Sequence, residues 1–453
     1  MQTRDQAFLG TEPVGRLLMR LAIPTVIAQL VNMLYNIVDR IYIGHIAGIG
    51  SLALTGVGVC MPIIMIVTAF AALVASGSAP RASIAMGRGD RDTAEKLLGG
   101  SFSLQIAISL TLTAVLLLFG HEFLLAFGAS ENTIEYADNY LNIYAFGTLF
   151  VELTLGMNAF ITAQGFATTG MMTVLIGAVC NIVLDPILIF GLLGFPRMEV
   201  AGAAVATIVG QFVGAGLGLF LNLKKNPEVQ IHLKDIRPHR ATVADIYAIG
   251  IPSIIMQSIG SVMMFGMNKI LISFTEAATA VFGAYFKLQS FIFMPCFGLN
   301  NAMVPIVSYN YGAQKFDRVR KTVRLTVFTA IGIMCVGCAL FELIPETLLG
   351  MFSPTDEMLS IGRVALRIIG VHFPLAGFSI IAGSACQALG KPIYALINSV
   401  CRQIVVLLPA AYLLSLTGRL ELVWLAFPIA EVVSVILNAT FLRLTYRASL
   451  DRK

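Results

Sequence analysis

Charge is scarce in this sequence. Of its 453 residues only 12% are Asp, Glu, Lys or Arg, against roughly 25% in a soluble globular chain, so water is not its main solvent. The chain has no Gly-x4-Gly-Lys-Ser/Thr loop, which excludes ATP as a direct energy source. It also has no His-Glu-x-x-His, no Ser/His/Asp set and no paired intramembrane aspartates with a glycine motif, so no enzyme is expected. A channel's selectivity element cannot be read either. Histidine is rare, at 5 residues, and His372 by itself makes no metal site. The seven cysteines, from Cys60 to Cys401, all fall in apolar runs, where they act as small hydrophobes and no disulfide framework is expected. Cys335-x-x-Cys338 has redox or metal spacing but stands in an apolar run without His or carboxylate beside it.

What fills the chain is apolar length. Hydrophobic residues make up 57% of it, and mean hydropathy is +0.84. A bilayer core about 30 Å thick needs roughly 20 apolar residues in helix. Twelve such spans can be read: 17–43, 52–77, 96–119, 134–160, 168–194, 199–223, 244–272, 278–308, 318–343, 360–387, 391–416 and 421–445. The expected fold is therefore all-α, a polytopic membrane protein.

Cytoplasmic loops are enriched in Lys and Arg. Basic residues cluster before span 1 (Arg4, Arg16, Arg20), after span 2 (Arg81, Arg88, Arg91, Lys96), after span 6 (Lys224 to Arg240), between spans 8 and 9 (Lys315 to Arg324) and at the end (Arg443 to Lys453). The opposite loops carry Glu122, Glu131, Glu135 and Asp138, then Glu342, Glu346, Asp356 and Glu357. Both termini are thus expected in the cytoplasm of a cell whose inner (plasma) membrane holds the protein. The net charge of +5 records topology, and no nucleic-acid partner is expected. The opening residues do not resemble a cleavable signal peptide.

The chain also repeats itself. Ile23-Pro24 with Gln29 matches Ile251-Pro252 with Gln257, and Pro80 with Gly87 matches Pro305 with Gly312, each of the latter followed by a basic loop. Ala163-Gln164-Gly165 and Gln387-Ala388-Leu389-Gly390 mark corresponding turns. This predicts two pseudo-symmetric six-helix bundles: an N-lobe over 1–223, a cytoplasmic linker over 224–241 and a C-lobe over 242–453, with alternating access between the lobes. Gly210, Gly214 and Gly218 put small residues on one face of span 6, a packing signal.

Ionisable residues inside spans are costly and so mark function, unless they form structural pairs or wet helix ends. Asn181 and Asp185 share a helix face, and Pro186 frees a backbone carbonyl one turn earlier. A carboxylate, an amide oxygen and a free carbonyl suit a proton or a hard cation. Tyr35 and Asp39 likewise share a face, and Pro24 offers a bend in span 1; the alternative is that Asp39 and Arg40 form the wet end of that span. Two carboxylates close together resist double ionisation, so protonation could drive a conformational change. The residue matching Asp39 in the second half is Met267, which places coupling chemistry in the first half. Glu152, Lys287, His372, Arg402 and Glu431 are the other polar groups within spans, and Arg402 and Glu431 could pair. Met263, Met264, Met267 and Phe286 could give a flexible lining for apolar cargo.

Tyr35-Asn36-Ile-Val-Asp39, Asn181-Ile-Val-Leu-Asp185-Pro186 and the turn Gln387-Ala-Leu-Gly-Lys-Pro392 resemble the multidrug and toxic compound extrusion (MATE) transporters, over nearly the whole chain. The resemblance implies export of amphipathic, often cationic drugs or toxic metabolites against inward Na+ or H+. It implies no other cofactor, membrane lipid as the surroundings, and a monomer. It places the cation on Asp39, Asn181 and Asp185, the metal ligands if Na+ is the ion, with Tyr140 and Thr207 as neighbours, and matches Pro24 to the bend in helix 1. Arg40 departs from the uncharged or small polar residue expected after Asp39. A lipid-linked oligosaccharide flippase of the same superfamily is the alternative, and it would want a cavity rich in Arg and Lys, for which only Lys269, Lys287 and Arg402 qualify.

Overall fold

Every regular element among the described residues of this computed structural model is a helix. The structure describes residues 7–225, 229, 231, 240–352 and 354–450. Most of the expected linker over 224–241, and the basic residues Arg4, Lys234, Arg237, Arg452 and Lys453, lie outside them.

A short helix α1 (Ala7–Thr11) precedes α2 (Val14–Gly44), α3 (Gly50–Gly77), α4 (Ala79–Gly87), α5 (Arg91–Ala126), α6 (Ile134–Ala163), α7 (Ala167–Phe190) and α8 (Val200–Lys225). The second half holds α9 (Arg240–Ile272), α10 (Glu276–Gly312), α11 (Phe316–Leu343), α12 (Pro345–Gly350), α13 (Asp356–Gly370), α14 (Phe373–Ala388), α15 (Pro392–Val400), α16 (Leu408–Ser415), α17 (Leu420–Val423) and α18 (Ala426–Ser449). By length and apolarity, 11 helices can cross a membrane, or 12 when the bent pair α13 and α14 is taken as one span. The protein is a polytopic membrane protein. Large apolar side chains stand exposed on its surface, Leu118 at 71% and Val336 at 63% among them, as expected where lipid is the solvent.

Two spans differ from the straight helices that hydropathy suggests. The run 360–387 is broken between Gly370 and Phe373 with a 48° bend. Pro374, in the first turn of α14, cannot donate to the carbonyl one turn back, so the helix restarts there. The run 391–416 holds a π-helical stretch, Cys401–Leu407, between α15 and α16.

The chain divides into two compact units: Ile27–Ile251, and Ala7–Val26 with Pro252–Lys453. The division falls close to the repeated Ile-Pro pairs, so the opening segments of α2 and α9 each pack with the unit that continues the other repeat. In the second unit Thr25 Oγ1 donates to the Gly298 carbonyl at 2.7 Å, and a Cβ on Gly298 would lie 2.6 Å from Val26 Cα. In the first unit a Cβ on Gly250 would lie 2.7 Å from the Leu73 carbonyl oxygen. A glycine on one partner or the other permits each close approach.

The repeat extends to hydrogen bonds. Ser83 Oγ donates to the Ala163 carbonyl at 2.8 Å, and Ser308 Oγ, 225 residues later, donates to the Ala388 carbonyl at 3.0 Å. Each serine is fully buried, and each, from a separate helix, satisfies the last carbonyl of another helix just before its turn. Both matching turns use a left-handed glycine, Gly165 and Gly390. In the second unit the carbonyls ending α1 are held by Asn310 and Arg318 on Leu9, Lys315 on Gly10 and Arg318 on Glu12, at 2.7 to 3.1 Å. Cations and amide donors thereby satisfy carbonyls that a helix end leaves open.

Candidate functional site

The expected coupling residues come together within the first unit, in the half of its helices away from the basic loops. Asp185 lies one turn before the end of α7, a helix that runs through Pro186 and stops at Gly191 in the left-handed conformation. Pro186 has no N–H to give the Ile182 carbonyl, so an acceptor is released beside the Asn181 and Asp185 face. Helix α8 approaches α7 closely here: a Cβ on Gly210 would lie 2.7 Å from the Gly177 carbonyl oxygen and 3.1 Å from Asn181 Cβ. Gly214 faces Thr154 and the Thr173 carbonyl, whereas Gly218 faces Ile161 of α6. The glycine stripe of span 6 thus serves two neighbours.

Asp185 is fully buried, Asn181 is 2% exposed and Asp39, on α2, is 8% exposed. Asn181 Nδ2 lies 3.4 Å from both Asp185 Oδ1 and Thr207 Oγ1, contacts too long to be strong hydrogen bonds. Tyr140 of α6 reaches Thr207 and feels the charge of Asp39. Tyr35 is within reach of Asn36 and Gln211 and feels both Asp39 and Asp185. The two carboxylates also feel each other, and Arg40, itself exposed, bears on Asp39. Asp39 is therefore a buried group, although a cation follows it in the chain. Gln211 of α8 is the member that sequence reading missed. A lone glutamine in a glycine-rich span carries no spacing that would single it out.

Three oxygens in this cluster, Asp39 Oδ1, Asn181 Oδ1 and Asp185 Oδ2, are buried and accept no hydrogen bond. Buried acceptors of this kind demand a donor or a cation. Among the described residues no group of three or more His, Cys, Asp and Glu gathers anywhere. The donor set is all oxygen from carboxylate, amide, hydroxyl and phenol, which suits a proton or a hard monovalent cation.

Pro24 lies inside α2, which continues as one helix from Val14 to Gly44. Three of the four residues expected to line a substrate path do not share an open surface: Met267 is fully buried, Met263 is 7% exposed, and Phe286 packs edge-on against Phe282 at 4.9 Å. Met264 is exposed. Arg402 and Glu431 do pair, at 3.1 Å, in the second unit.

The family model MatE matches residues 24–187 and 252–413, one stretch in each repeat. The chain belongs to the MATE family. Its relatives include the FAD transporter of Shewanella oneidensis, 24% identical over 95% of this chain and 94% of that one. The multidrug export protein MepA of Staphylococcus haemolyticus is 26% identical over 96% of this chain and 95% of that one. Among solved structures, an outward-facing multidrug resistance MATE transporter of the MOP superfamily superposes with a TM-score of 0.91 at 25% identity, each chain fully covered. A MOP superfamily transporter from Pyrococcus furiosus, described as having a binding pocket of reversed polarity, gives 0.92 at the same identity and coverage. This MATE protein is accordingly a membrane transporter of the multidrug efflux family.

Proposed function

We propose that the protein is a secondary active exporter that expels amphipathic, often cationic compounds in exchange for inward H+ or Na+, with Asp39, Asn181 and Asp185 taking the coupling cation. The observation that carries this reading is one buried oxygen on each of those residues, Asp39 Oδ1, Asn181 Oδ1 and Asp185 Oδ2, that receives no hydrogen bond. A proton or cation arriving from the side opposite the basic loops would satisfy them and relieve the repulsion between Asp39 and Asp185. Tyr35, Tyr140 and Thr207 supply hydroxyls around the same point, so occupancy would draw α2, α6, α7 and α8 together and narrow the space left for drug. Pro24 leaves one backbone hydrogen bond of α2 unmade and supplies the place where that helix can flex.

The basic loops support an inner-membrane protein with both termini in the cytoplasm. The flippase reading draws less support. Lys269 lies over Phe265 at 5.5 Å, Lys287 over Phe352 at 5.6 Å, and Arg402 is paired with Glu431, so the three cations are each engaged elsewhere instead of converging on a pyrophosphate.

Ethidium efflux from cells expressing the protein, with Na+ and pH gradients imposed separately, tests the proposal. Wild type is expected to export under one of the gradients, which names the ion, and Asp185→Asn to lose coupled export while still reaching the membrane. Coupled efflux retained by Asp185→Asn overturns the assignment; no efflux under either gradient shifts the weight to the flippase.

A further inference from the structure

One buried acid in the first unit is not used by the coupling cluster. Glu152 of α6 is fully buried, and both its carboxylate oxygens lack any hydrogen-bond partner. It lies 12 residues beyond Tyr140 on the same helix, about 18 Å farther along the axis at 1.5 Å per residue. That displacement runs toward the Ala163 end of α6, which Ser83 ties to the helix entering the basic loop.

Tyr140, Tyr144, Thr148 and Glu152 follow one another at four-residue steps and form a single ridge of α6. The two tyrosine rings stack at 6.2 Å, Tyr144 feels both Tyr35 and Glu152, and Thr148 is fully buried with a hydroxyl oxygen that has no partner. A file of polar side chains thus runs from the Asp39 and Asp185 cluster to Glu152.

Among the described residues no cation pairs with this acid. Among the helices packed on α6, α3 brings only Cys60, α7 brings Cys180 and Asp185, α4 brings Arg81 and Arg88 near its two ends, α8 carries only Lys224 and Lys225 at its far end, and α5 carries Arg91, Asp92, Glu95 and Lys96 at its start and Glu122 and His121, the latter on Asp138 of α6 at 2.6 Å, near its end. From α5 comes Gln105, whose Nε2 donates to the Glu152 backbone carbonyl at 2.8 Å and whose Oε1 has no partner. An unpaired carboxylate there would bear the full desolvation penalty, so the side chain holds a proton whenever it is enclosed.

Packing does not require the acid. At the 225-residue offset shared by the two serine contacts, Glu152 corresponds to Gly377 and Gln105 to Ala330, and a Cβ on Gly377 would lie 3.1 Å from the Ala330 carbonyl oxygen. The second repeat closes the same helix contact with a glycine and an alanine. The polar pair is therefore peculiar to the half that holds the coupling cluster.

We infer that Glu152 is a second proton-binding carboxyl of the transport cycle, linked to the Asp39 and Asp185 cluster along the Tyr140, Tyr144 and Thr148 ridge, and that it takes up and returns one proton per turnover. This rests on the proton form of the coupling proposed above. The carboxyl gains its proton when enclosed and gives it up to water when the basic-loop side of the unit opens, so no other reactant is needed.

The test uses full-length protein in liposomes, with ethidium exchange and internal pH followed together. Glu152→Gln is expected to keep exporting ethidium while the protons moved per ethidium fall about twofold, one of two titrating groups having been removed, and Glu152→Asp to restore the count with a displaced pH midpoint. An unchanged proton count and pH profile in Glu152→Gln would overturn the inference and leave a structural acid. Should Glu152→Gln not assemble, an unchanged pH midpoint in Glu152→Asp overturns it equally. Asp185→Asn, measured in parallel, reports on the coupling cluster itself: coupled exchange surviving there defeats the proposed function, whatever Glu152 does.

Discussion

Replacing Gly210 with alanine probes the helix contact on which the geometry around Asn181 rests. The new Cβ would meet the Gly177 carbonyl oxygen at 2.7 Å and Asn181 Cβ at 3.1 Å. A backbone oxygen cannot rotate aside, so α7 and α8 must move apart by roughly half an ångström or more to reach ordinary contact, with an overpacking cost of about 1–3 kcal/mol. The same replacement at Gly218 puts the Cβ 3.8 Å from Ile161 Cδ1, already an ordinary contact. Both variants gain the same helical preference of alanine over glycine, on the order of 1 kcal/mol. The difference between them therefore isolates overpacking. Thermal unfolding of the purified variants in one detergent is expected to rank Gly218→Ala above Gly210→Ala, with Gly214→Ala, whose nearest atoms lie at 3.5 Å, close to Gly218→Ala. Ethidium efflux is expected to fall only for Gly210→Ala, because only there is Asn181 displaced. Equal unfolding midpoints at 210 and 218 would refute the tight approach of α7 and α8 and the site geometry drawn from it.

The repeated serines provide a second check: Ser83→Ala and Ser308→Ala are each expected to cost about 1 kcal/mol, and unequal losses in thermal unfolding would argue that the two contacts are not equivalent. Arg402→Met leaves Glu431, 2% exposed, without its cation and is expected to destabilise by about 3 kcal/mol, whereas the double variant Arg402→Met with Glu431→Leu recovers most of that loss. A double variant no more stable than the single one would show that the pair does more than cancel its own charges.

The architecture was legible because a bilayer imposes length and apolarity on every span, and those are properties of the sequence itself. The repeat was legible because proline and glycine hold fixed positions in it, and the structure adds Ser83 and Ser308 at the same offset. Asn181 and Asp185 could be paired from four-residue spacing alone, since both lie on one helix. What was hidden depends on several helices at once. Gln211 reaches Tyr35 only because α8 lies against α7, and the burial of Asp39 beside an exposed Arg40 depends on what surrounds α2. The bend ahead of Pro374 and the π-helical stretch at Cys401–Leu407 are local in the chain, yet hydropathy averages over both. The methionine positions depend on packing in the same way: Met263 and Met267 share a buried face, whereas Met264 is exposed.

The exchange of helix segments between the two units bears on how the chain can be made. Ala7–Val26 packs with residues that follow Pro252, while the segment ending at Ile251 packs with the unit that begins at Ile27. No single cut between α8 and α9 would yield two self-sufficient pieces, because each fragment would carry one segment of the other's core and lack one of its own. Thr25 and Val26 would wait for Gly298, and Leu73 for Gly250. During synthesis the first unit therefore stays open until translation has entered the second repeat, and its helices must be held in the membrane, unfinished, until Gly250 arrives.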